Sequence, residues 1–326
     1  MNTDSQDSGT HTIPCCFRRI AAGAGLALGI ASLAVGLGGP SSAAADPPMC
    51  LLSEATIVGT AGPDDLVGTP GDDVVVLDAG DDRFDGLGGD DVICGGAGDD
   101  VLLGGAGDDS ILGDEGVDRI DTGAGDDWVR GFEGGGDDVI TTGAGRDTVL
   151  SSAPGVRIDT GPGSDMVDAD YLTVPLVLGP GDDAAFLGHT SGTVLAGPGD
   201  DELYVSAGIP DLAPGLNWNN TSLVRGGPGN DRLTTSSGPA RIDVVARQAR
   251  WDRGRVTFAG IERFRGSRQG DVILGGPGAD DLDGGRGADV ILGRGGNDRI
   301  NGGRGFDVAD GGPGRDRCSA EQKRSC

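Results

Sequence analysis

The chain is poor in the residues from which ordinary enzyme domains are built. Aromatic side chains make up 4% of its 326 residues, and histidine occurs only at His11 and His189. A large conventional core and a histidine-based active site are both short of material. Basic residues number 25 against 52 acidic ones, so the formal net charge is −27. That balance makes nucleic acid and anionic membrane surfaces poor partners and cations good ones. Glutamate is scarce as well: six of the acidic residues are Glu and the other 46 are Asp. The six Cys include no C-x-x-C pair, which disfavours a zinc knuckle or a thioredoxin-like site.

Long apolar runs are confined to the N-terminus. Arg18 and Arg19 precede an apolar run over residues 20–39, and Ala43, Ala44 and Ala45 then offer a small-residue cleavage site. The pattern predicts a signal peptide over residues 1–45 and a secreted, extracellular mature chain of about 281 residues. Left uncleaved, the same run is long enough to serve as a membrane anchor. Cleavage removes Cys15 and Cys16 and leaves Cys50, Cys94, Cys318 and Cys326, an even number that favours disulfides in an oxidising compartment.

What is abundant is glycine. Gly (65) and Pro (17) make up about a quarter of the chain, a share that signals disorder unless the residues recur at a fixed period. They do. From Gly59 the chain divides into nines: GTAGPDDLV, GTPGDDVVV, LDAGDDRFD, GLGGDDVIC, GGAGDDVLL, GGAGDDSIL, GDEGVDRID, TGAGDDWVR. The frame holds over residues 59–130, resumes after Gly131 and Phe132, and runs in register to residue 204. It returns as GGPGNDRLT at Gly226 and then as six units over residues 266–319.

Each unit has a physical reading. The early glycines supply the positive-φ turn positions that other residues disfavour. The eighth residue is apolar almost throughout and its neighbours are polar or variable, which describes a very short strand with one buried face. One such strand cannot bury its side chain alone. Two successive units make an 18-residue coil whose strands face each other across a thin core, and stacked coils give two parallel sheets. The expected fold is all-β, a right-handed parallel solenoid. The sixth residue is usually Asp, and it recurs eighteen residues on, about one strand spacing (~4.8 Å) along the axis. Columns of carboxylates that close repel unless a cation lies between them, and calcium, which accepts many oxygen ligands at irregular angles, suits the geometry better than magnesium.

The nonapeptide G-G-x-G-x-D-x-U-x, repeated in register, resembles the RTX (repeats-in-toxin), or hemolysin-type calcium-binding, family. The resemblance implies a parallel β-roll holding multiple calcium ions between successive turns, with Gly-rich carbonyls completing each shell. The metal ligands it implies are Asp64, Asp73, Asp82, Asp91, Asp100, Asp109, Asp118, Asp127, Asp138, Asp147, Asp165, Asp183, Asp201, Asp231, Asp271, Asp280, Asp289, Asp298, Asp307 and Asp316. The first Asp of each pair, such as Asp90 or Asp108, reads as a solvated residue. Members of the family often carry a catalytic or membrane-active domain before the repeats and a C-terminal export signal. This chain is expected to have neither, so calcium binding carries over and cytolysis does not.

The frame divides the chain into a cap (46–58), a first block (59–204), an irregular loop (205–225), a short repeat pair (226–243), an Arg-rich cap or connecting stretch (244–265), a second block (266–319) and a tail (320–326). Sorting units by parity leaves one edge of residues 142–204 without carboxylates, since Val156, Val174 and Gly192 take the sixth position there; Ala240 contrasts with Asp231 in the same way. Those turns, at 151–156, 169–174 and 187–192, are candidates for partner contact. Between residues 225 and 268 ten Arg face four acidic residues, either neutralising neighbouring coils or forming a polyanion site with Trp251 as a stacking platform. Cys318 and Cys326 would fold the tail over the last unit, whereas Cys50 must fold back along the coils to reach Cys94.

The function this suggests is a secreted calcium-binding protein, not an enzyme, that folds on extracellular calcium and has a structural or interaction role at the cell surface. The partners beside calcium would be polysaccharide or protein. One alternative is a polysaccharide lyase or hydrolase using Asp168 and Asp170 near Tyr171, or His189; another is a carrier module for a second exported chain.

Overall fold

In the computed structural model each nonapeptide contributes one short strand, and consecutive strands alternate between two sheets. The structure describes residues 48–131, 137–206, 221–236, 238–251 and 254–326. The signal peptide expected over residues 1–45, and most of the loop expected over 205–225, lie outside them. All the regular elements are strands, so no helix among the described residues is long and apolar enough to cross a membrane. One sheet has fourteen strands and the other sixteen. Within each, the register follows the repeat: Ile93 pairs with Ile111, and Leu102 with Ile120. The register survives the two-residue break in the frame, since Val129 still pairs with Val149 and Ile120 with Ile140.

Position eight points inward, as its apolar character requires. Phe84, Ile93, Leu102, Ile111, Ile120, Val129, Ile140 and Val149 are buried in one continuous cluster. Each is worth roughly 1.5–3 kcal/mol of burial. A coil orders eighteen residues for two such side chains, so the core is thin and the turns must add stability of their own.

Where the sixth position loses its carboxylate, the strands persist: Arg157–Asp159, Leu176–Val177 and Thr193–Leu195 all pair in parallel. Their turns are filled by apolar packing. The strands Met166–Leu172 and Ala184–Thr190 on the facing sheet lengthen to seven residues, and Ala153, Val156, Ala169, Leu172 and Leu187 are buried around that edge.

The two-strand difference between the sheets has a single origin. Within the stretch read as cap or connecting strands, Gln248–Trp251 and Gly254–Ala259 form an antiparallel hairpin. It lies between Thr221–Arg225 and Arg241–Asp243 in the sixteen-stranded sheet. The opposite sheet continues undisturbed, with Leu233 pairing with Phe264. One face therefore gains about 10 Å that the other lacks, and the sheets must splay there. Phe258 and Phe264 meet inside, ring centroids 4.9 Å apart, and Trp251 packs against the same core. Trp251 is half-buried against that core, which leaves only part of its ring for the stacking platform anticipated from the sequence.

Both ends are tied. Met49–Cys50 and Ser53–Glu54 form a small antiparallel pair, and Cys50 is joined to Cys94 at the ninth position of its unit. At the other end Cys318 is joined to Cys326, and Gln322–Arg324 adds a last parallel strand beside Val308–Asp310.

Candidate metal centre

The sixth-position aspartates form ladders along the two edges. Each N–H donates to Oδ1 of the Asp one coil further on. On one edge Asp64, Asp82, Asp100, Asp118 and Asp138 are linked in this way at 2.8–3.1 Å. On the other edge Asp73, Asp91, Asp109, Asp127, Asp147, Asp165, Asp183, Asp201 and Asp231 form one unbroken run at 2.8–3.0 Å. In the second block Asp271, Asp289 and Asp307 follow one edge and Asp280, Asp298 and Asp316 the other. All twenty residues singled out from the sequence thus occupy equivalent places.

Two carboxylates that the sequence reading passed over extend these ladders. Asp231 N–H donates to Glu262 Oε2 at 2.9 Å, and Asp307 N–H to Glu321 Oε2 at 2.8 Å. Counting back nine residues from Gly266 gives TFAGIERFR, with Glu262 in sixth place and the buried Phe264 in eighth. Glu321 has no such signal, because the last turn is shorter than the repeat.

The ladder uses one oxygen of each carboxylate and leaves the other. Oδ2 of Asp82, Asp91, Asp100, Asp109, Asp147, Asp165, Asp183, Asp201, Asp231, Asp289, Asp298, Asp307 and Asp316 is buried with no hydrogen-bond partner. Native structures leave few such atoms, because each costs on the order of 1–3 kcal/mol or more. The first Asp of each column is different: Asp64, Asp73, Asp271 and Asp280 accept a backbone N–H on Oδ2 at 2.6 Å. At Asp127 the hydroxyl of Thr122, which replaces the usual position-one glycine, donates to Oδ2 at 2.5 Å.

Position-one glycine keeps space open beside the orphaned oxygen. A Cβ on Gly86 would lie 2.3 Å from Asp91 Oδ2 and 2.4 Å from the Gly104 carbonyl; on Gly284 it would lie 2.4 Å from Asp289 Oδ2 and 2.5 Å from the Gly302 carbonyl. These glycines do not have positive φ. That conformation belongs to positions two and four, and where position two is not glycine the backbone still adopts it, as at Asp78, Leu87, Asp114 and Arg294.

Burial pushes the carboxyls up, and neighbouring carboxylates add to the effect, while the ladder hydrogen bonds oppose it. Asp91, Asp100 and Asp165 rise to about 6. Asp109, Asp118, Asp183, Asp201 and Asp289 rise to about 7. Hard anionic oxygens beside backbone carbonyls are a calcium donor set. Among the described residues no three carboxylate, imidazole or thiol groups converge on one point, so a cation would need carbonyls for much of its shell. The residues present fit calcium on that basis.

The fifth-position aspartates, read from sequence as solvated, are exposed but bonded. Asp90 N–H donates to Asp72 Oδ1, Asp108 to Asp90, and Asp126 to Asp108, at 2.8–3.0 Å. This second ladder runs opposite to the first. Asn297 serves the same purpose for Arg315, a substitution that preserves the acceptor.

The residues considered for catalysis lie on two adjacent paired strands, Met166–Leu172 and Ala184–Thr190. Asp168 and Asp170 point outward and are exposed on Met166–Leu172, and Tyr171 stacks on His189 with ring centroids 5.0 Å apart.

Stacked coils with paired carboxylate ladders define a metal-binding β-solenoid. The family model "RTX calcium-binding nonapeptide repeat (4 copies)" matches residues 58–93, 95–129, 134–153, 256–291 and 292–322. The chain accordingly carries RTX calcium-binding nonapeptide repeats along its length. No curated protein matches it. Among solved structures, a hyperactive, Ca2+-dependent, β-helical antifreeze protein from an Antarctic bacterium is similar at 20% identity, over 86% of this chain and 84% of that one, with a TM-score of 0.34.

Proposed function

We propose that the protein is a secreted calcium-binding protein whose solenoid folds as extracellular calcium fills its turns, with a structural or interaction role at or near the cell surface. One observation carries the reading: the thirteen ladder aspartates with a buried, partnerless Oδ2. Those oxygens and the position-one carbonyls beside them would hold the ions, and Glu262 and Glu321 would extend the columns. Calcium, when bound, supplies the positive charge that lets the buried carboxyls ionise. The chain's own part is to aim one oxygen of each Asp along the ladder and the other into the turn. Two disulfides and the leader-like residues 1–45 support an oxidising, extracellular setting.

A site with Kd near 0.1 mM in about 1 mM calcium contributes roughly 1.4 kcal/mol. A dozen give on the order of 15 kcal/mol, comparable to the whole stability of a domain. The test is far-UV circular dichroism of the purified protein. EDTA should abolish the β signal and millimolar calcium restore it, with magnesium a poor substitute. A spectrum unchanged in EDTA rejects calcium-driven folding.

A further inference from the structure

The inserted hairpin carries a row of positive charge on a chain whose net charge is −27. Antiparallel pairing sets Arg241 opposite Arg250, and Arg250 opposite Arg255. Ile242, Ala249 and Val256 alternate with them and are buried, so the three arginines share the outer face of adjacent strands, and all are exposed. Like charges placed directly opposite one another destabilise a sheet.

Nothing among the described residues neutralises the row. None of the three arginines takes part in an ion pair. The nearby Asp243 is engaged elsewhere: it lies 3.5 Å from Arg294 Nη1 and accepts the Ala246 N–H at 3.1 Å. Arg250 Nε donates to Gln248 Oε1 at 2.9 Å, which orients the guanidinium without cancelling its charge. A shallow pocket beside it is lined by Arg241, Asp243, Ala246, Gln248 and Arg250.

We propose that this face binds a linear polysaccharide bearing carboxylates, its acidic groups lying along Arg241, Arg250 and Arg255. The strands are spaced about 4.8 Å apart, the scale of one sugar ring along a chain, and a guanidinium fork matches a carboxylate bidentately. Single-stranded nucleic acid binds through successive aromatic stacking platforms, and the hairpin strands offer a single half-buried ring, Trp251, packed against the core. An anionic bilayer would have to approach the acidic remainder of the molecule as well. The proposal does not depend on the calcium reading.

The experiment is calorimetric titration of the calcium-loaded protein with a short oligogalacturonate, too short to gel with calcium, beside neutral dextran, single-stranded DNA and phosphatidylserine vesicles. The wild type should bind the oligogalacturonate, more weakly as salt rises, and leave dextran unbound. The variant Arg241→Gln/Arg250→Gln/Arg255→Gln should bind at least about tenfold more weakly. It should melt no lower than wild type, because the substitutions remove opposed charges at exposed positions. Equal binding by the variant, equal binding of dextran, tighter binding of DNA or vesicles, or no binding at all would each overturn the proposal. If the triple variant misfolds, Arg250→Gln alone decides by the same comparison.

Discussion

Position four of the repeat is glycine in nearly every unit, yet the structure gives those glycines unequal work. At Gly107 φ is +132°, and a Cβ would lie 2.2 Å from the carbonyl oxygen of Gly89 in the preceding coil. Gly71 occupies the same position in an early unit, and a Cβ there meets nothing within 4 Å. Alanine at 107 must move the two coils apart by about 1 Å to reach an ordinary contact, which strains the bonds from Gly89 N–H to Ala106 and from Gly107 N–H to Ala124, both 2.9 Å. Overpacking of this kind costs about 1–3 kcal/mol, and the glycine-only backbone conformation adds about 1–3 kcal/mol. The expected loss for Gly107→Ala is about 2–6 kcal/mol, a fall in Tm of at least roughly 4 °C for a chain of this size. Gly71→Ala should be neutral, or stabilising by about 0.5 kcal/mol through reduced freedom of the unfolded chain. Differential scanning calorimetry of both variants at saturating calcium reads the difference directly. Equal losses, or a neutral Gly107→Ala, would refute the argument that coil contact, rather than repeat position, makes the glycine necessary.

Acidity should have opposite effects with and without metal. Burial raises the folded-state pKa of Asp109 and Asp183 to about 7, above the ordinary value of 3.8. Stability of the metal-free fold is therefore greatest below about pH 4 and is lost as pH rises through 6–7. In EDTA the protein should keep more far-UV β signal at pH 5 than at pH 7.5, where it is unfolded, and in calcium it should melt higher at pH 7.5; a metal-free β signal that rises with pH contradicts the burial argument. A second substitution concerns position two, where Leu87 is held at φ 69° and is 48% exposed. Leu87→Gly should gain about 1 kcal/mol by relieving the left-handed backbone, and a measured loss in denaturant melts would show that Leu87 packs usefully.

The repeat made most of the fold legible. A residue that is apolar every nine positions, with an 18-residue coil, leads to Ile93 above Ile111 and Leu102 above Ile120 without reference to coordinates. Parity sorting likewise separated the Asp73 column from the one that gives way to Val156. The inserted hairpin was hidden because its strands are antiparallel: Arg250 meets Arg241 and Arg255 through a meander that no nine-residue frame describes. Glu262 was concealed by the lack of paired glycines ahead of it, although the frame counted back from Gly266 reaches it. The fifth-position ladder gave no signal because its members are exposed, and exposure in a sequence looks the same whether or not a side chain is bonded.

The polarity of the sixth-position ladder also bears on the order in which coils can be completed. Each coil offers an N–H that only the following coil can accept, so a chain assembling from its N-terminus always ends in one coil with a vacant donor. Each newly added turn closes its predecessor and opens the next vacancy. On one edge Glu321 accepts from Asp307, and on the other Asp298 is closed by Asp316. On the Asp307 edge the tail bridged by Cys318 and Cys326 thus works as a stop signal for a directional zipper, and a chain ending before Glu321 would leave the Asp307 N–H open for the edge of another molecule.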